Sequence, residues 1–113
     1  MASLDIITVP NDKLRETSEP VERVDDELNR LIDDMLATMY EAPGIGLAAI
    51  QVAVPRRLFV CDVSGEGEER APQVFINPEL LWADDARSVY NEGCLSIPGH
   101  YAEVERPARV KVR

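Results

Sequence analysis

A chain of 113 residues has room for one small domain, so residues 1–113 are read as a single unit with one modest core. Its 45% apolar and 29% charged content excludes wholesale disorder. The balance of 21 acidic against 12 basic side chains, net −9, repels phosphate backbones and excludes direct reading of nucleic acid.

In chain order, residues 6–9 form a short extended segment closed by Pro10, and a charged stretch follows as far as the break at Pro20. Asp25 or Asp26 is the expected N-cap of a helix, with Glu27 adding negative charge near its positive end. Leu28, Leu31, Ile32, Met35, Leu36, Met39 and Tyr40 then recur at spacings of three and four, one apolar stripe along roughly four turns. Pro43-Gly44 ends it, because proline cannot continue the hydrogen-bond ladder and glycine frees the backbone. Beyond the helix the pattern becomes strand-like. Residues 57–63 read as a buried strand, 64–69 as a polar turn, 74–77 and 80–83 as short strands around Pro78, and 88–90 as the lead-in to Cys94. Residues 102–105 and 109–113 alternate apolar with charged side chains, which predicts one wet face for each. One long amphipathic helix packed on short antiparallel strands makes the fold class α+β. The alternation at 109–113 lacks a return partner, so the domain is expected to be C-terminally truncated.

No stretch approaches the ~18 apolar residues of a membrane span, and the first residues lack the basic patch and apolar run of a signal peptide. Cys61 and Cys94 are far apart and follow no paired-ligand spacing, which fits reduced thiols in a cytoplasmic protein.

Two segments carry chemistry. The first is Gly44-Ile45-Gly46-Leu47-Ala48-Ala49-Ile50-Gln51-Val52, and the second is Glu92-Gly93-Cys94-Leu95-Ser96. Gly44 and Gly46 suit a tight backbone path, by positive φ or by close approach of another segment; two glycines alone would more often be a helix cap and a turn. Gln51 adds a neutral group that both donates and accepts. Cys94 taken alone would more often be a buried structural thiol, and Cys61, inside Leu58-Phe59-Val60-Cys61, is expected to fill the core. Met35 and Met39 are likewise read as core.

The two segments resemble two of the three signature motifs of the peptide deformylases, which remove the N-formyl group from nascent bacterial proteins. The third, a helix with His-Glu-x-x-His, does not occur in this sequence. The resemblance covers nearly the whole chain and implies an incomplete deformylase fold. It implies catalytic places for Gln51, Leu95 and Gly46, with the Gln51 amide and the Leu95 N–H holding an oxyanion. It implies that Gly44, Ile45 and Gly93 bind substrate, the backbones of Ile45 and Gly93 pairing with the peptide as an added strand. Cys94 is the implied ligand of a divalent metal, with Fe(II) first and Zn(II) or Ni(II) as alternatives, in a site that two histidines would complete around an activated water. Glu92 is expected to be a buried carboxylate paired with Arg106 in support of the cysteine segment. His100, the only histidine, falls in the loop after the cysteine motif and is expected to be an ordinary surface residue.

The implied substrate is the N-formylmethionyl end of nascent chains, met near the ribosome. The leading reading is therefore a metal-dependent deformylase whose 113 residues alone are inactive for want of two histidines and a glutamate base. The alternative is a non-catalytic, deformylase-like module for peptide binding or interaction. A small metal-binding protein using Cys94 and His100 lacks further ligands.

Overall fold

The computed structural model describes residues 3–65 and 67–113. The apolar stripe forms helix α1, Asp26–Glu41. Of the two candidate caps, Asp25 takes the role: its carboxylate accepts from the Leu28 N–H at 2.9 Å, satisfying one of the free donors of the first turn. Leu28, Met35 and Met39 are fully buried, while Leu31, Ile32, Leu36 and Tyr40 flank them half-buried. Burial of each of those three side chains contributes about 1.5–3 kcal/mol before entropy is counted.

Against this face lies a three-stranded antiparallel sheet, ordered β1 (Gly46–Ala48), β2 (Leu58–Cys61) and β3 (Gln73–Ile76). Leu47, Leu58 and Val60 enter the core from it, joined by Ala49 and Val52 from a short 3₁₀ turn, Ala49–Val52, that follows β1. The buried strand expected over 57–63 is thus shorter, and β1 and this turn had no counterpart in the periodicity. Cys61 is not core filler. Alternation along β2 sends Leu58 and Val60 inward and turns Phe59 and Cys61 to the opposite face, half-buried, where Phe59 stacks on Phe75 at 4.7 Å.

Strand β4 (Leu80–Ala83) pairs with β7 (Val110–Val112), and β5 (Arg87–Cys94) pairs with β6 (Ile97–Pro107). The expectation that segment 109–113 lacks a partner is overturned: Val112 lies opposite Leu80, and Glu79 and Arg113 exchange backbone bonds of 3.2 and 3.0 Å. The segments read as 88–90 and 102–105 are parts of one long ribbon. Its register is regular from Arg87↔Pro107 to Gly93↔Tyr101 and then jumps to Cys94↔Ile97, so residues 98–100 bulge opposite the cysteine. His100 therefore sits within β6, not in a loop, and it is exposed. The wet face of both alternating segments is broader than expected, for β7 is exposed throughout and only Val104 and Pro107 of β6 are half-buried. Leu80, Leu81, Trp82, Val89, Tyr90 and Tyr101 are also exposed.

Beyond β2, Asp62 is buried and anchors the return loop. It accepts from the Tyr40 hydroxyl at 2.6 Å, the Ser64 hydroxyl at 2.6 Å, the Ser64 N–H at 2.9 Å and the Ala71 N–H at 3.0 Å. Those donors, Ser64 first and Tyr40 next, hold its carboxyl well below the usual carboxylate range. The same bond raises the Tyr40 phenol, over whose ring Arg70 lies at 4.1 Å.

Candidate functional site

Both sequence motifs converge on one place. Gln51 is the third residue of the 3₁₀ turn, and its side chain folds back so that Oε1 accepts from the Ala48 N–H at 3.0 Å. This is the N3-to-N-cap half of a capping box, a local bond made possible by the tight turn. The amide nitrogen then faces the second motif, donating to Ser96 Oγ at 3.1 Å and lying 3.6 Å from Cys94 Sγ. Cys94 is exposed at the end of β5, while Ser96 is 3% exposed.

The N-terminal segment ties the two motifs together through backbone bonds. Ile7 N–H donates to the Gln51 carbonyl at 2.8 Å, and Val9 N–H to the Ser96 carbonyl at 2.9 Å. Leu95 packs over Gly44: a Cβ there would come within 2.8 Å of Leu95 Cδ1, so Gly44 permits close approach. Gly93 is covered in the same way by the ring of Tyr101, at 2.6 Å from a built Cβ. Gly46 differs from the expectation, for it has neither a positive φ nor a tight neighbour, with Val60 O at 3.8 Å.

What Gly46 offers is its peptide group. Asp62 N–H donates to the Ile45 carbonyl at 2.9 Å, which makes Ile45↔Asp62 a hydrogen-bonded pair in register with β1–β2 and commits the Ile45 carbonyl to the residue just past β2. Alternation then turns the N–H and C=O of Gly46 away from β2, along the edge where β1 has no neighbouring strand among the described residues. The same parity holds on β5. Ala108 N–H donates to the Ala86 carbonyl at 2.7 Å, so Gly93, seven positions on, points its peptide groups away from β6, toward the side on which β5 pairs with no strand among the described residues.

Glu92 and Arg106 form a two-pronged ion pair across the ribbon, with both bonds at 2.7 Å. The pairing is as expected; the burial is not, since 34% of the Glu92 side chain and 63% of the Arg106 side chain are exposed. Arg106 holds the Glu92 carboxyl below its ordinary range. His100 joins no ligand cluster: among the described residues no three His, Cys, Asp or Glu side chains are grouped to hold a metal. The recess bounded by Ser18, Ala48, Ile50, Arg57, Phe59 and Pro78 includes neither Cys94 nor Gln51.

Residues 3–113 match the family model described as polypeptide deformylase. The chain belongs to that family. It is 61% identical to the peptide deformylase of Phenylobacterium zucineum over 113 residues, all of this chain and 67% of that one. Against the Mesorhizobium japonicum deformylase it is 63% identical over 108 residues, 96% of this chain and 61% of the relative. The chain thus spans about three-fifths to two-thirds of the length of these deformylases. Two solved structures agree on the fold. The Ehrlichia chaffeensis deformylase in complex with actinonin superposes with a TM-score of 0.92 at 41% identity, over 99% of this chain and 67% of that one. The Thermotoga maritima enzyme gives 0.90 at 41%, over 99% and 73%. Among the described residues no helix is long and apolar enough to cross a membrane.

Three contributors to the candidate site, Ser96, Ile7 and Val9, are not marked as such by the sequence. Ser96 stands inside the quoted motif, and its type, a small hydroxyl beside a cysteine, was the available signal. The bonds from Ile7 and Val9 left no local trace.

Proposed function

We propose that this chain supplies the peptide-holding and oxyanion part of a peptide deformylase, an enzyme that hydrolyses the N-formyl group from the formylmethionine of nascent proteins. The observation that carries the reading is the Gln51 amide, whose Nε2 lies 3.1 Å from Ser96 Oγ and 3.6 Å from Cys94 Sγ, together with the edges of β1 and β5 at Gly46 and Gly93, unpaired among the described residues. A neutral amide stabilises a developing oxyanion without competing for a cation, and the Leu95 N–H next to Cys94 is the second donor. Gly46 and Gly93 offer their peptide groups to an extended substrate, and Gly44 keeps Leu95 close to the first of these edges. Ile45 serves through its exposed side chain, its carbonyl being bound to Asp62.

The family's divalent metal, Fe(II) before Zn(II) or Ni(II), takes Cys94 in this reading. The residues present do not fit a complete metal site: Cys94 is one ligand, and the only histidine, His100, lies exposed on β6 with no partner cluster among the described residues. The remaining donors and the general base belong to a His-Glu-x-x-His segment outside these 113 residues. The test is complementation. The isolated chain with Fe(II) should not deformylate a formyl-methionyl peptide, and adding that segment, in cis or as a separate fragment, should produce turnover. Turnover by the isolated chain at the complemented rate would overturn the ligand assignment.

The open edges at Gly46 and Gly93 also favour a second reading, a peptide-binding module without catalysis. Peptide binding in the presence of a chelator, with complementation failing under all metals, would select it.

A further inference from the structure

We infer that Ser96 is a positioning residue that sets the orientation of the Gln51 amide, leaving one N–H directed at Cys94. The inference rests on the site proposed above and extends it to a residue with no assigned role. A backbone N–H can only donate, so the group facing Ala48 must be Oε1, and that fixes which way the amide is flipped. Nε2 therefore points to the second motif with two hydrogens to place. Ser96 Oγ, at 3.1 Å and 3% exposed, accepts one of them in a firm bond. The other faces the Cys94 sulfur, a weak acceptor at 3.6 Å, and is the one free to meet an incoming oxygen.

With a single anchor at Oε1 the amide plane could swivel; two anchors on opposite ends hold it. The backbones of both residues are fixed independently, Gln51 by Ile7 and Ser96 by Val9. Removing the serine hydroxyl should thus release the amide without releasing the chain. Gln73, the other glutamine of the sequence, is exposed and serves as an internal reference.

The experiment follows side-chain amide exchange by NMR in the 15N-labelled 113-residue chain, in wild type, Ser96→Ala and Ser96→Thr. In wild type the Gln51 side-chain protons should exchange about tenfold more slowly than those of Gln73, the factor one net hydrogen bond supplies. In Ser96→Ala that difference should vanish while the backbone amides of Leu28 and Val60 stay protected; Ser96→Thr should retain it. Wild-type Gln51 exchanging as fast as Gln73, or undiminished Gln51 protection in a folded Ser96→Ala, would overturn the inference. Should Ser96→Ala lose core protection, Ser96→Thr decides, with protection kept supporting the role and protection lost refuting it. None of these readouts uses metal or turnover, so failed complementation would refute the proposed function and leave this result standing. In an active complemented enzyme, Ser96→Ala should lower kcat about tenfold with KM nearly unchanged, the split expected of a donor used in the transition state. A parallel loss in KM alone would count against it.

Discussion

Replacing Gly44 with alanine tests the joint between the two motifs, and two opposing terms decide its sign. The added methyl would lie 2.8 Å from Leu95 Cδ1 and 3.4 Å from Leu95 Cγ. Ordinary carbon contacts begin near ~3.5 Å, so the overlap is roughly 0.7 Å. Leu95 packs against the core cluster and cannot simply swing into solvent. Overpacking of this kind costs about 1–3 kcal/mol, the lower part of the range applying here because a side-chain end yields more easily than backbone. Against this, Gly44 has no positive φ, so alanine is unstrained and stabilises by about 0.4–1 kcal/mol through the unfolded state. The net expectation for Gly44→Ala is destabilisation of about 1 kcal/mol, some 4–8 °C in Tm. In a Leu95→Ala background the clash is gone and only the entropic term remains, so the same substitution should become stabilising. Urea denaturation of the four proteins in this double-mutant cycle measures both effects. Additive behaviour, with the effect of Gly44→Ala unchanged by Leu95→Ala, would refute the contact as the reason for glycine.

Asp62 gives a pH dependence. Its folded carboxyl is held below the ordinary value of 3.8, so its stabilisation is present above that value and is lost as the pH falls toward the lower folded one. Urea midpoints should drop below about pH 4, and Asp62→Asn, less stable at neutral pH, should flatten that acid limb. Glu92, held low by Arg106, acts in the same direction. For metal, the 113-residue chain should bind Fe(II), Zn(II) or Ni(II) weakly and lose it to a chelator, with Cys94→Ser removing the remaining thiolate-dependent absorption of a Co(II) probe. Stoichiometric metal that survives chelation would contradict the single-ligand assignment. In the complemented enzyme Gln51→Ala should reduce kcat by about 100–1000-fold, the range for loss of one oxyanion donor, in a continuous deformylation assay.

What was legible in the sequence was what is decided locally. The stripe from Leu28 to Tyr40 and the acidic cap gave α1 because a helix closes its bonds within four residues. The strand expected at 80–83 coincides with β4, and the one expected at 74–77 lies within one residue of β3. The ribbon β5–β6 was under-read because most of its residues are exposed on both faces, so no alternation marks it. Cys61 departs from the expected core position because four apolar residues in a row do not reveal which pair faces inward. At the candidate site, Gln51, Cys94 and the glycines were visible as motif residues. Their mutual geometry was not, since it depends on Ser96 and on backbone bonds from Ile7 and Val9, and partners so distant in sequence leave no periodic signal.

The bond between Val9 and Ser96 also fixes an order in time. The chain is made from its N-terminus, and Ser96 is added 87 residues after Val9. At a synthesis rate of about 5–20 residues per second, the Val9 N–H waits roughly 4–17 s for its carbonyl, hydrated in the meantime. The amide of Gln51 waits for Ser96 as well, about two to nine seconds, while the α1–β2 core can already be closing around it. The Gly93 edge and the doubly anchored Gln51 amide are therefore completed late, after the core that carries them, and in a nascent copy the proposed site stays incomplete until chain growth has passed Ser96.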